Sequence, residues 1–279
     1  MVDMMKKVLE AMQRRMIRLQ IGVDGPVIWG RTRFGGQPDV PADFQWPTYV
    51  TDTAYDETVK PRPLAFLAQI DCGALACMDP EGLLPRRGLL SFFYEMDSAR
   101  WGYDPADAGS ARVYWFEAGQ PLHPAAFPAE LEEEFRLPRL PVQAGPGVSF
   151  AAWEDFFQIR SDVPLMEPYE HAYEAMGGSG NCTKLLGWPD VLQDNMTLPC
   201  ELVSAGYNLT GLEEIPEELV RRKSAEALQH WRLLFQLNGF SAGDFDLDFG
   251  ETGALYFYIR TEDLRARRFD RVWAILQCD

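Results

Sequence analysis

Apolar residues recur along this chain in two rhythms. Over 231–238, WRLLFQLN, the residues Trp231, Leu233, Phe235 and Leu237 alternate with Arg232, Leu234, Gln236 and Asn238. A period of two puts alternate side chains on opposite faces, so this stretch predicts a strand with one fully apolar face. Leu234 adds an apolar side chain to the second face, which suits a central strand covered on both sides. Similar runs stand at 63–71 (PLAFLAQID), 88–94 (GLLSFFY), 112–116 (RVYWF), 253–259 (GALYFYI) and 271–275 (RVWAI). The second rhythm is helical. Met5, Val8, Leu9, Met12, Met16 and Leu19 recur at steps of three and four, which predicts one helix over 3–20 docked on the core. Residues 216–230 open with Pro216 and two glutamates and carry a stripe of Leu219, Val220, Ala227 and Leu228, which predicts another helix. A short helix is expected at 126–136, and the Pro-rich stretches 121–128 and 138–146 read as a connection.

The strand-like runs come in two ordered passes. RFGGQPDVP at 33–41 is echoed by KLLGWPDVL at 184–192. Gly36 matches Gly187, Pro38 matches Pro189 and Asp39 matches Asp190, with Arg33 and Lys184 leading. The spacing between matched residues is 151 from Gly36 to Gly187, 167 from Gln69 to Gln236, 165 from Gly88 to Gly253 and 159 from Arg112 to Arg271. It changes between blocks and never within one, as duplication followed by loop insertion and deletion would produce. The expected class is α+β, predominantly antiparallel β: an internally duplicated pair of similar β-rich halves with an N-terminal helix and a few short helices. The expected organisation is one compact domain over 1–279. It comprises an N-terminal helix at 1–22, a first repeat at 30–120, a connecting segment at 121–180 and a second repeat at 181–279.

Composition narrows the partners. The 279 residues are 47% apolar, with Asp+Glu 42 against Lys+Arg 26 and a formal net charge of −16. So acidic a chain is repelled by nucleic-acid phosphate and anionic lipid, and favours a basic or neutral protein partner. No run of 18 apolar residues exists to span a membrane, and the N-terminal stretch lacks the continuous apolar region of a secretory signal. Five irregularly spaced cysteines without a CxxC pair point to a reducing, cytoplasmic setting.

Catalytic and ligand patterns are absent. His123, His171 and His230 have no metal-ligand spacing, and no phosphate-loop, dinucleotide or nucleophile-elbow signature occurs. Asp244, Asp246 and Asp248 alternate like calcium ligands, but Phe249 and Leu255 stand where such a loop needs glycine and glutamate, so an extended strand is expected there. No cofactor, metal or catalytic residue is assigned. The Gly-x-Pro-Asp segments (Gly36, Pro38, Asp39 and Gly187, Pro189, Asp190) read as structural turns, each aspartate accepting a backbone N–H just downstream. An amide inside an apolar strand needs a hydrogen-bond partner. Gln69 and Gln236 therefore either satisfy the turn of their own half or join Arg33 and Lys184 in a candidate cleft between the halves.

Seven ordered blocks resemble the YwqG-like family, a bacterial family of unknown function. They are the Gly-x-Pro-Asp opening with Trp46-Pro47, PLAFLAQID, GLLSFFYEMD, WGYDPADAG, KLLGWPDVLQDNM, WRLLFQLN, and the closing GALYFYIRTEDLRARRFDRVWAILQC. The resemblance spans about 30–278 and implies a compact, internally duplicated β-rich fold without bringing an activity. The functional expectation is a non-catalytic cytosolic binding protein with an acidic surface, for instance one that neutralises a basic protein in the manner of an immunity protein. The alternative is a small-molecule binder or enzyme using a cleft between the repeats.

Overall fold

The computed structural model describes residues 1–22, 25–159, 166–178, 180–211, 215–250 and 252–278. Its frame is one ten-stranded antiparallel sheet. In chain order the strands are β1 (Arg14–Ile21), β2 (Arg33–Phe34), β3 (Ala65–Asp71), β4 (Leu89–Tyr94), β5 (Ala111–Phe116), β6 (Leu140–Ser149), β7 (Lys184–Leu185), β8 (Trp231–Asn238), β9 (Ala254–Arg260) and β10 (Trp273–Gln277). Across the sheet they run β10-β9-β8-β7-β1-β6-β2-β3-β4-β5. The central pair, β1 and β6, is in register from Arg14 opposite Ser149 to Ile21 opposite Val142. The first strand of the chain thus borders the wing built from its C-terminal part, while β6 borders the wing built from β2 to β5.

Among the described residues, besides a single helical turn at Cys72–Leu75, six helices lie around the sheet: α1 (Val2–Met12), α2 (Trp153–Ile159), α3 (Met166–Ala175), α4 (Thr197–Val203), α5 (Glu217–His230) and α6 (Thr261–Arg265). α1 buries Met5 and Leu9 against Phe156, Tyr169 and Ala172. The helix expected over 3–20, and the helix boundary 1–22, are corrected: helix ends at Met12, Gln13 turns extended, and 14–21 is a strand. Met12, Met16 and Leu19 fit a helical step, but Met16 and Ile17 are neighbours and both are buried, because β1 is central and covered on both faces. The connecting segment 121–180 is corrected too, since it contains β6 with its Pro141 and Pro146. β6 meets β2 only at Leu140 and Pro141, so Pro146 lies where the strand has one neighbour, the setting in which a missing N–H is tolerated. Within 126–136 the only helical turn is a 3₁₀ turn at Glu133–Phe135. The last strand is 273–277, two residues beyond the expected 271–275. The helix expected at 216–230 stands at Glu217–His230, and Phe245–Leu247 is extended.

Two bulges decide which face each side chain takes. The β3–β4 register shifts between Phe66 and Ala68, and the β8–β9 register shifts between Leu233 and Phe235. Strict alternation across WRLLFQLN therefore fails. Trp231 and Leu233 pack outward with Met196 and Cys200 beneath α4, whereas Phe235 and Leu237 enter the main core.

The main core lies inside a strongly curled sheet. Phe92 on β4 and Phe235 on β8 are six strand places apart along it. A flat sheet would separate them by about 29 Å at about 4.8 Å per strand. Their ring centroids are 4.7 Å apart, and Phe92 meets Phe257 at 5.4 Å. The wings therefore face each other across one apolar interior, to which Ile17, Phe34, Leu67, Leu185 and Leu234 also contribute. The free edge of β10 is covered by the chain at 101–102: Leu276 N donates to Trp101 O at 3.1 Å and Trp273 Nε1 to Gly102 O at 2.8 Å. Covering an edge removes a template for aggregation. Among the described residues no helix is long and apolar enough to cross a membrane.

Gly102 is the fixed point of that closure. It holds φ 83°, and a Cβ there would stand 1.9 Å from Ala274 O. Gly119 also has a positive φ, 90°, but has nothing within 4 Å of the same position. Gly102→Ala is therefore expected to cost at least about 2 kcal/mol more than Gly119→Ala in urea unfolding, since both share the backbone penalty and only one collides. Equal losses would show that the 101–102 segment is not tightly seated on β10.

Candidate functional site

The residues singled out by sequence form two separate clusters. β2 ends at Phe34, and Gly35 and Gly36 take φ 56° and 71°, so the chain reverses at once. Pro38 follows, and Asp39 returns over Arg33. Asp39 Oδ2 accepts from Arg33 Nη1 at 2.8 Å, Gln69 Nε2 at 2.7 Å and Gly30 N at 2.7 Å. Gln69 Oε1 in turn accepts from Asp39 N at 3.2 Å, and Arg33 Nη2 also donates to the Gln37 carbonyl. In the other wing, Leu186 and Gly187 take φ 59° and 81° after β7. Asp190 Oδ1 accepts from Lys184 Nζ at 2.5 Å, and Oδ2 accepts from Gln236 Nε2 at 2.8 Å and Cys182 N at 2.9 Å. Gln236 Oε1 accepts from Asp190 N at 3.0 Å. In both wings the backbone donor to the carboxylate lies upstream of the turn rather than just downstream of it.

These clusters are buried, on the face of the sheet opposite the main core. Arg33, Gln69 and Gln236 have no exposed surface, and Lys184 has 1%. β1 and β6 separate β7 from β2, so Arg33 and Gln69 do not share a cleft with Lys184 and Gln236. Burial pushes the Asp39 carboxyl up, but hydrogen bonds from Arg33, Gln69 and Gly30 more than reverse it and leave it below the ordinary range. A carboxylate held ionised by a guanidinium is a poor proton donor at neutral pH. Burial also pushes the Cys182 thiol up, the opposite of an activated nucleophile, and His171 is exposed on α3.

Glu201 on α4 gathers a second kind of cluster. It receives Lys223 Nζ at 2.8 Å, Trp231 Nε1 at 2.9 Å and Arg260 Nη2 at 3.0 Å. Among the described residues, Glu201, Glu226 and His230 have ligand atoms within 4.8 Å of one another. Two cations already hold the Glu201 oxygens, so the chemistry is that of an ion-pair hub.

A groove of 490 Å³ lies beside β3, between the chain at 60–63, the turn at 95–97 and the stretch 129–136. Its Arg62 is buried and spent internally. It donates to the carbonyls of Thr51, Asp56 and Thr58 and pairs with Asp56 at 3.0 Å and Asp97 at 3.3 Å. Lys60 pairs with Asp56 at 2.7 Å. Glu130, Glu132 and Glu133 are exposed on the rim, and among the described residues none has an ion-pair partner. Burial, with the charges of Glu132 and Asp56, holds the Asp97 carboxyl above its ordinary range against the pull of Arg62. Sequence reasoning missed this groove. Its signal in the sequence is the run ELEEEF at 130–135, whose pattern predicts a helix instead.

Asp155 is a further buried carboxylate that the sequence did not mark. It is 1% exposed; Asn195 Nδ2 donates to Oδ1, and Oδ2 has no partner. Burial pushes it up to about 7 against the pull of the Arg14 charge. The folded state thus keeps a proton that the unfolded chain releases near pH 4 (about 3.9 for a free aspartate). The stability this proton contributes is complete below about pH 4 and is lost as pH rises to about 7. Relative to Asp155→Asn, the wild type should therefore lose up to about 1.4 kcal/mol per pH unit from about pH 5 to 7 and level off above. Urea unfolding of both proteins across that range measures it, and parallel pH profiles would contradict the assignment.

The model of a family described as a domain of unknown function, DUF1963, matches residues 32–278, which takes in both wings of the sheet. No curated protein matches the chain. With the match covering all but the first 31 residues and the last, the chain belongs to the DUF1963 family.

Proposed function

We propose that this is a non-catalytic binding protein whose acidic groove takes a basic segment of a protein partner, as an immunity-like neutralising protein would. The carrying observation is the imbalance at the groove. Its buried cation is consumed by carbonyls and carboxylates, while Glu130, Glu132 and Glu133 stand exposed and unpaired among the described residues. An inserted Lys or Arg side chain would meet Asp97 and Glu132, and the net charge of −16 would steer a basic partner toward the protein. The five unpaired cysteines support a cytoplasmic setting. The seven sequence blocks support YwqG-like membership. The matched bulges, the matched Asp–Gln pairing and the exchanged places of β1 and β6 support descent of both wings from one duplicated unit within a single domain.

The test is a pull-down from the native cell with the wild type and the triple variant Glu130→Lys, Glu132→Lys, Glu133→Lys as baits. These side chains are exposed, so the fold should survive. The wild type should retain a basic protein that is released at about 0.5 M salt, where screening shortens to a few ångströms, and the variant should lose it. Identical partners on both baits, or no basic protein on either, would contradict this reading.

A further inference from the structure

A second cavity, of 620 Å³, lies on the other wing, where the end of α1, the start of β1, β8 and α5 come together. Two arginines line it, Arg14 from β1 and Arg232 from β8. Arg14 is stacked on Trp188, its guanidinium carbon 3.4 Å from the ring centroid. Trp188 is itself fixed, donating from Nε1 to Met12 O at 2.7 Å. Arg232 has its Nε buried with no hydrogen-bond partner. Among the described residues neither arginine has a carboxylate within ion-pair distance. Glu81 lines the same cavity but is exposed, and Asp155, whose charge also reaches Arg14, is not part of the lining.

Other described arginines also lack an ion pair, but these two are both half-buried and line one cavity. Burial pulls the Arg14 guanidinium down to about 10, and the Arg232 charge pulls the same way, so the two cations repel each other inside the site. A bound anion removes that repulsion and supplies acceptors for the fork of N–H donors. The planar guanidinium matches carboxylate and phosphate oxygens in pairs. The cation–π stack leaves Arg14 pre-organised, which lowers the ordering cost of binding. The volume lies in the range of small-molecule sites and exceeds what a lone inorganic ion fills.

We infer that this cavity binds a small organic oxyanion, a carboxylate or phosphate ester, with Arg14 and Arg232 as its paired anchors. The polar side chains of Gln13, Gln229 and Ser224 line the remainder and would face the uncharged part of the ligand. The site is distinct from the acidic groove, which lies on the β3 side of the sheet, and it stands or falls independently of the protein partner proposed above.

Inorganic phosphate and succinate serve as probes, one for each anion class, with sodium chloride at matched ionic strength as the control. At about ten times its dissociation constant a probe of the right class should raise the wild-type Tm by roughly 3 °C beyond the chloride control. Arg232→Gln should weaken that probe at least about tenfold, the loss expected when one charge-assisted pair is removed. Arg15→Gln, at an exposed position next to Arg14, should leave it unchanged. The probe that stabilises tells phosphate from carboxylate. Should Arg232→Gln fail to fold, a crystal of the wild type grown with the effective probe should show it between the two guanidinium groups. Stabilisation equal to that of chloride, equal stabilisation of the Arg232→Gln and Arg15→Gln proteins, or an empty cavity in that crystal would overturn the inference.

Discussion

The chain has to reverse inside the protein immediately after two very short strands. β2 and β7 have two residues each, yet they join the central pair β1–β6 to the two wings. So few ladder bonds would not hold a wing in register. What holds it is a reciprocal clip between an aspartate of the turn and a glutamine of the next strand. Gln69 accepts the Asp39 N–H and donates to its carboxylate, and Gln236 does the same for Asp190. The buried cation at the start of each short strand then neutralises the carboxylate. Taking these charges from water costs several kcal/mol per ion, and the arrangement is tolerable because nearly every donor and acceptor finds a partner; the Arg33 Nε is left bare.

With both wings clipped to the centre, the curl of the sheet follows. Bulges at Phe66/Ala68 and Leu233/Phe235 lie just before Gln69 and Gln236, turning each glutamine toward its aspartate while Phe235 enters the interior. The closure brings Phe92 against Phe235 and seats Gly102 on β10. Two of the cavities beside the wings correspond to each other. Ala65, opposite Tyr94 on β4, lines the acidic groove, and Arg232, opposite Ile259 on β9, lines the arginine cavity. The two openings thus occupy matching places along the sheet and carry opposite charge, which suits them to different ligands.

How much of this could be read beforehand depends on whether a feature is local. β8 and α5 were legible because their apolar periods are long and their ends carry turn or cap signals. The antiparallel β-rich class followed from the number of such runs. β1 reads as helix because Met12, Met16 and Leu19 satisfy a helical step, and only its neighbours β7 and β6 decide the matter. β6 was hidden by its two prolines, which are tolerated because its partner β2 is so short. The bulges left no sequence mark that alternation alone reveals. Among the site residues, Gln69 and Gln236 stand out in the sequence as amides that need partners, and Arg33 and Lys184 only as members of a candidate cleft between the halves. Their division between two clusters follows from the strand order, which places β1 and β6 between them. The exposed glutamates at 130–133 and the pair Arg14–Arg232 carry no spacing pattern, because folding brings their surroundings together from distant parts of the chain.

The central claim is that the two turns after β2 and β7 are clipped into the core and are not surface loops. Native-state hydrogen exchange of the Asp39 and Asp190 amides tests this directly, since each donates only to a buried glutamine side chain. Protection comparable to that of the β3 and β8 amides, lost only in global unfolding, is the expected result. Exchange of either amide at the rate of an exposed turn, while β3 and β8 remain protected, would contradict it.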